Sequence, residues 1–311
     1  MSHRGTLLSL PSEFKDLLPT FQAWLEEVQG NLAAEPTLSA AICYSLSGPG
    51  KRIRPLLALA VAELCELELQ RMRSFCLSLE FIHTSSLIHD DLPALDNDDF
   101  RRGLPTLHRE FDEAVALLAG DLLLAQASLE VSRAPEAPAE VRARWAELVS
   151  EATVALCEGQ MMDLRSGTLG DRALLSQDAA LNALRELSIR KTGALFRAAA
   201  LGPAALVQDK TLRERYESSL EQFAVNLGLL FQITDDILDH QPDLLNSTAE
   251  GEGSRSKQQT LSTYVSLLGI TGAEAAADCA AADAIRALAD YPSERSIVLR
   301  NLVEQVRRRD K

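Results

Sequence analysis

The chain has 311 residues, of which 46% are hydrophobic and 24% charged, with a net charge of -14. This is the composition of a globular protein with ample core, and its acidity disfavours nonspecific nucleic-acid binding and adsorption to anionic membranes, although a local group of Lys and Arg can still hold a small polyanion. Five cysteines (Cys43, Cys65, Cys76, Cys157, Cys279) are odd in number, scattered and without metal-ligand spacing, so reduced thiols in a cytoplasmic protein are expected rather than a disulfide framework.

The amino terminus, MSHRGTLLSLPSEFKD, lacks the apolar run of a secretory signal, and no later stretch reaches about 18 uninterrupted apolar residues. No integral membrane segment is expected. GPGKRIRP (48–55) then places Lys51, Arg52 and Arg54 in a turn just before a helix. Apolar residues recur at three- and four-residue steps in RPLLALAVAELCEL, EAVALLAGDLLLAQASLEV and RARWAELVSEATVALCEGQMMDL, which predicts helices. Sustained alternation is absent and breakers are sparse, so the fold class is all-α, with the chain read as one domain over 1–311.

Between the first two of those helices stands SLIHDDLPALDNDDFRRG (86–103), five aspartates within ten positions followed by Arg101 and Arg102. Asp90 and Asp91 close a helix, and Pro93 turns the chain so that Asp96 can point back. Further on, LFQITDDILD (230–239) puts Gln232, Asp235, Asp236 and Asp239 at i, i+3, i+4 and i+7, on one face of an otherwise apolar helix. A carboxylate stripe there is costly unless something positive occupies it. Either cluster alone reads as a solvated helix end; together, with basic groups nearby, they favour a polynuclear site for a hard cation bridged by a phosphorylated ligand. HQPDLLNSTAEGEGSRSKQQT (240–260) reads as a mobile loop, and the terminal Arg307–Arg309 as a solvated helix end that complements the helix dipole.

Taken in order, GKRIRP, His83, DDLPALD, RRG, KTG (191–193) and FQITDDILD resemble the trans-prenyltransferases, the isoprenyl diphosphate synthase family. The resemblance implies a helical bundle around a deep central cavity, usually a homodimer, with the acidic motifs facing each other across its mouth. It implies condensation of isopentenyl diphosphate with an allylic diphosphate, supported by three magnesium ions per active site. Asp90, Asp96 and Asp235 would be the leading metal ligands, supported by Asp91 and Asp239. Lys191 and Arg101 would neutralise the departing diphosphate, Thr192 and Gln232 would supply dipoles to the allylic cation, and Lys51, Arg54, His83 and Arg102 would hold isopentenyl diphosphate. Arg52 is read as structural.

The family places an aromatic residue five or four positions before the first aspartate when the product has fifteen carbons; here Ser85 and Ser86 stand there, which favours the twenty-carbon geranylgeranyl diphosphate over farnesyl diphosphate. The family's KxTYP is altered to LSTYV, with Leu261 and Val265 replacing its lysine and proline, and Lys257 is the nearest substitute. That alteration is the best support for a competing reading, a non-catalytic partner subunit of a prenyl synthase. A terpene cyclase is the other competitor, and the second basic pocket argues against it.

Overall fold

Apolar residues fill almost every position of α3 (Ile53–Leu64), and ten of its twelve residues are buried. A helix apolar all round belongs at the centre of a bundle. In the computed structural model, which describes residues 12–166, 176–240 and 263–308, α4 (Arg73–Asp90) and α9 (Ala194–Leu201) pack on it, and α10 (Lys210–His240) packs on α9. Around this centre lie α1 (Ser12–Gln29), α2 (Pro36–Ser47), the short α5 (Leu107–Glu110), α6 (Glu113–Arg133), α7 (Ala139–Ser166), α8 (Gln177–Ser188), α11 (Tyr264–Ala287) and α12 (Ser293–Arg307). The expected all-α class is what forms.

The helix starts follow from local chemistry. Asp112 accepts from the Val115 N–H at the start of α6, and Thr263 and Ser266 form a reciprocal capping box at the start of α11. In the core, the Phe75 and Trp145 rings lie 5.2 Å apart, and the Trp145 indole N–H donates to the Gly202 carbonyl at 2.8 Å, joining α4, α7 and the end of α9.

Among the described residues the only strands are β1 (Phe100–Arg101) and β2 (Leu104–Pro105), an antiparallel ribbon that the helical periodicity did not foretell. Its tip puts Arg102 (φ 54) and Gly103 (φ 82) in the left-handed region, the geometry of a tight two-residue hairpin turn, which is why a glycine follows the arginine pair.

By length and composition, α6 and α11 are apolar enough to cross a membrane. Each nonetheless packs along another helix of the bundle, α6 on α4 and α11 on α10, and α6 leaves Leu117, Leu118 and Leu129 exposed. The described cysteines are free thiols, with Cys157 and Cys279 exposed. The loop expected at 240–260, with Lys257 and Leu261, lies largely outside the described residues, whereas Val265 is buried at the start of α11. Arg307 pairs with Asp278 and Glu304, as a solvated helix end should, and Arg309 lies outside the described residues.

Candidate active site

α4 stops at Asp90, and the turn after it closes when the Asp96 N–H donates to the Asp90 carbonyl at 2.9 Å. The reversal brings Asp96 back beside the aspartate pair, as the proline turn suggested. Burial, with the neighbouring Asp96 and Asp91 charges, outweighs the opposing pull of Lys191 and pushes the Asp90 carboxyl up to about 6. Asp91 is buried and already matched: the Arg101 Nε and Nη2 donate to its Oδ1 at 2.6 and 2.5 Å. Asp91 is thus the anchor of an arginine in this arrangement.

On α10, Gln232, Asp235 and Asp236 are half-buried and Asp239 is exposed near the helix end. Asp236 uses both oxygens. The Gln232 amide donates to Oδ1 at 3.0 Å and the Tyr264 N–H to Oδ2 at 2.8 Å. Thr192 in turn donates to the Gln232 carbonyl oxygen at 3.0 Å. One chain of hydrogen bonds therefore runs from the KTG segment through α10 to the first residue of α11.

KTG lies in a π-helical turn, Ile189–Gly193, between α8 and α9. Such turns widen a helix locally and push side chains outward. Two glycines make room for it. A Cβ on Gly159 of α7 would sit 2.6 Å from the Lys191 backbone nitrogen, and one on Gly228 of α10 would sit 2.7 Å from the Gly193 Cα. Held between those helices, the Lys191 ammonium reaches the Asp163 carboxylate of α7 at 2.5 Å.

The basic groups flank this centre. Arg52 pairs with Glu80 and donates to the Leu46 and Gly48 carbonyls, confirming its structural role. Arg54 is half-buried, its guanidinium carbon 5.2 Å above the Phe196 ring centroid and its buried Nε without a partner among the described residues. Burial pushes Arg54 down to about 10, partly offset by Glu80 and Asp235. His83 is held well below the usual imidazole range, first by burial and then by Arg54, Arg102, Arg52 and Arg101, so it is neutral at pH 7. The Arg102 Nη1 donates to the Pro49 carbonyl at 2.9 Å, and Lys51 is half-buried beside it in the same turn.

The two acidic helices thus share one neighbourhood: Lys191 acts on Asp90, and Asp235 acts on Arg54. Ser86 lies one turn before Asp90 on the same face of α4, half-buried, its hydroxyl donating to the His83 carbonyl at 2.9 Å. Ser85 is buried about 140° around the helix from Asp90, at about 100° per residue.

The donor set fits magnesium. It consists of hard carboxylate oxygens, and burial first, with the neighbouring Asp96 and Asp91 charges, raises the Asp90 carboxyl, so a hard cation there would relieve it. Among the described residues no three ligating side chains close on one point. Magnesium takes one or two carboxylates and completes its shell with phosphate oxygens and water.

The Polyprenyl synthetase family model matches residues 35–277. The chain belongs to the polyprenyl synthetase family. It is 41% identical over 244 residues to a farnesyl diphosphate synthase of Micrococcus luteus, covering 76% of this chain and 77% of that one. Against geranylgeranyl pyrophosphate synthase 11 of Arabidopsis thaliana, identity is 38% over 269 residues, covering 85% and 72%. A geranyltransferase structure from Legionella pneumophila superposes with a TM-score of 0.82 at 27% identity, covering 96% of both chains.

Sequence reasoning missed Asp163, Gln160 and Tyr264 of this synthetase. Gln160 has both amide atoms buried and unpartnered among the described residues, and Asp163 holds Lys191. The signal was present in GQMMD (159–163), a close-packing glycine followed by two polar residues three apart at the end of an apolar helix. Tyr264 acts through its backbone N–H, which no residue pattern reveals.

Proposed function

We propose that the site performs the head-to-tail condensation of a short-chain trans-prenyltransferase, the class to which its family membership assigns it, and that its main product is geranylgeranyl diphosphate. The observation that carries this reading is the convergence of Asp90 with Lys191 and of Asp235 with Arg54. It joins two carboxylate helices and two cationic pockets into a site for two diphosphates. Farnesyl and geranylgeranyl diphosphate synthases both stand among the relatives. The small side chains of Ser85 and Ser86 before Asp90 favour the longer product.

In this reading the allylic diphosphate lies across the mouth between the acidic helices. Asp90, Asp96 and Asp235 would hold the magnesium, supported by Asp91 and Asp239, with three ions per site. When bound, the metal neutralises diphosphate oxygens and makes the group a better leaving group. Arg101 and Lys191 add positive charge as the carbon–oxygen bond breaks and both electrons leave with the diphosphate. The Thr192 and Gln232 dipoles, aligned by Asp236, face the allylic cation without capturing it. Lys51, Arg54, Arg102 and neutral His83 position isopentenyl diphosphate so that its double bond attacks that cation. The released diphosphate takes the proton whose loss forms the new double bond.

A homodimer would cover the exposed Leu117, Leu118 and Leu129 of α6. A cytoplasmic location is consistent with the exposed free thiols of Cys157 and Cys279. The test is incubation with magnesium, labelled isopentenyl diphosphate and, separately, dimethylallyl, geranyl and farnesyl diphosphates, with products resolved by chain length. A dominant twenty-carbon product supports the whole reading, a fifteen-carbon product overturns the assignment of length, and no elongation by folded protein overturns the activity.

A further inference from the structure

α7 meets the π-turn along one narrow side. Gly159 abuts the Lys191 backbone, and Asp163, one turn later, takes the Lys191 ammonium. Gln160 stands beside both. At about 100° per residue it lies roughly 60° around the helix from Asp163, and side chains at i and i+3 are neighbours. Yet both atoms of the Gln160 amide are shut off from solvent and have no hydrogen-bond partner among the described residues.

An amide in that state is unfavourable, because it has lost its water without gaining a protein partner, and an apolar side chain of the same length would avoid the loss. Such a group is accounted for when a second state of the site gives it a partner. Neither amide atom is open to an entering ligand, so that partner belongs to the chain itself. Asp163 is the one within reach along α7. In the free protein Lys191 holds it. In the function proposed above, on which this inference rests, Lys191 turns to the departing diphosphate. Asp163 then stays half-buried without that ammonium, close enough to Asp236 for its charge to act there. A carboxylate so placed needs a donor. The amide nitrogen offers two hydrogens and no charge, so it can serve Asp163 without binding the phosphate in place of Lys191.

We propose that Gln160 is a positioning residue that takes over Asp163 when Lys191 leaves it, its Nε2 turning to donate to the Asp163 carboxylate. The amide passes from an unsatisfied state in the free protein to a charge-assisted hydrogen bond in the loaded one, and the difference adds to diphosphate affinity. The same bond keeps Asp163 from drawing Lys191 back. Lys191 is thereby released to the leaving group, and the orphaned amide of the free protein has its explanation.

Gln160→Met keeps the unbranched shape of the side chain and removes the amide. In thermal melts of the full chain without ligands it should be at least as stable as the parent, because an unsatisfied polar group is lost. In calorimetry, inorganic diphosphate with magnesium should bind it about tenfold more weakly. In an Asp163→Asn background, where residue 163 has no charge to be partnered, the same substitution should weaken binding by less than about twofold. With the allylic substrate the loss should fall on KM and leave kcat nearly unchanged, as for a bond made on binding. A melting temperature several degrees below the parent's, with diphosphate affinity kept, would make the amide a structural group and overturn the proposal. So would an equal loss of affinity in both backgrounds. A parent chain that binds no diphosphate with magnesium overturns the function proposed above and this exchange with it, whereas a parent that binds no better than Gln160→Met overturns the role of Gln160 alone.

Discussion

Gly159→Ala tests whether the π-turn positions the chemistry. The added Cβ would lie 2.6 Å from the Lys191 nitrogen, 2.9 Å from its Cα and 3.0 Å from its Cβ. Ordinary contact begins at 3.4 Å, so the Lys191 nitrogen must retreat by about 0.8 Å (3.4 less 2.6). Alanine gains about 1 kcal/mol of helix propensity over glycine, but overpacking rigid backbone costs about 1–3 kcal/mol, so the clash wins and the melting temperature falls by a few degrees. The larger effect is on rate. The same shift drags Lys191 away from Asp163 and strains the 3.0 Å Thr192–Gln232 bond. A displacement approaching 1 Å lowers kcat by roughly tenfold to a hundredfold. Steady-state kinetics with thermal melts on the same preparation decide it. A variant with the parent's kcat and melting temperature would show that α7 does not set the position of Lys191.

Asp90, at about 6 without metal, keeps its proton in the folded chain over a pH range where the unfolded chain has released it. Stability of metal-free protein therefore falls as pH rises from about 4 through 6, and magnesium offsets the loss above pH 6. Melts with chelator and with magnesium should show a larger magnesium-induced rise at pH 7 than at pH 5, and equal rises would refute the coupling. Arg54→Gln removes a half-buried cation whose buried Nε lacks a partner among the described residues, so the KM for isopentenyl diphosphate should rise roughly tenfold to a hundredfold with little change for the allylic substrate; equal losses for both would place Arg54 elsewhere. Ser86→Phe puts a ring about 6 Å below Asp90 on the same face and should shorten the product more than Ser85→Phe, as chromatography of the labelled products would show. An unchanged product distribution in both variants would move the floor of the cavity away from α4.

The legible parts of the sequence were those set by local periodicity and by clustered like charge. The stripe Gln232, Asp235, Asp236 and Asp239 could be placed on one face because an α-helix has a fixed period, and the turn returning Asp96 to Asp90 because Pro93 interrupts a helix. Long-range matching was not legible. That Asp91 is the partner of Arg101, or Asp163 of Lys191, depends on how α4, α7 and the ribbon dock, and spacing along the chain is silent about that. The π-turn escaped notice because IRKTG has the composition of an ordinary helix. The cause of the turn lies partly outside it, in the absence of side chains at Gly159 and Gly228 on two other helices.

Those long-range pairs bear on how the site must work. The two cations assigned to the departing diphosphate, Arg101 and Lys191, are both engaged by carboxylates, Asp91 and Asp163. Binding a diphosphate is then an exchange: each cation must turn from a carboxylate to a phosphate oxygen, which leaves that carboxylate exposed to its like-charged neighbours Asp90 and Asp236. In a partly buried site the exposed negative charge is costly, so diphosphate without a divalent cation gains little from Arg101 or Lys191. Once metal charge accompanies the diphosphate, the released carboxylates have a partner and the exchange becomes favourable. Diphosphate affinity should accordingly depend on magnesium much more steeply in this protein than in an Asp163→Asn variant, whose Lys191 needs no replacement partner. Calorimetry of inorganic diphosphate binding with and without magnesium measures that difference. Equal dependence in both proteins would mean that the ion pairs are spectators.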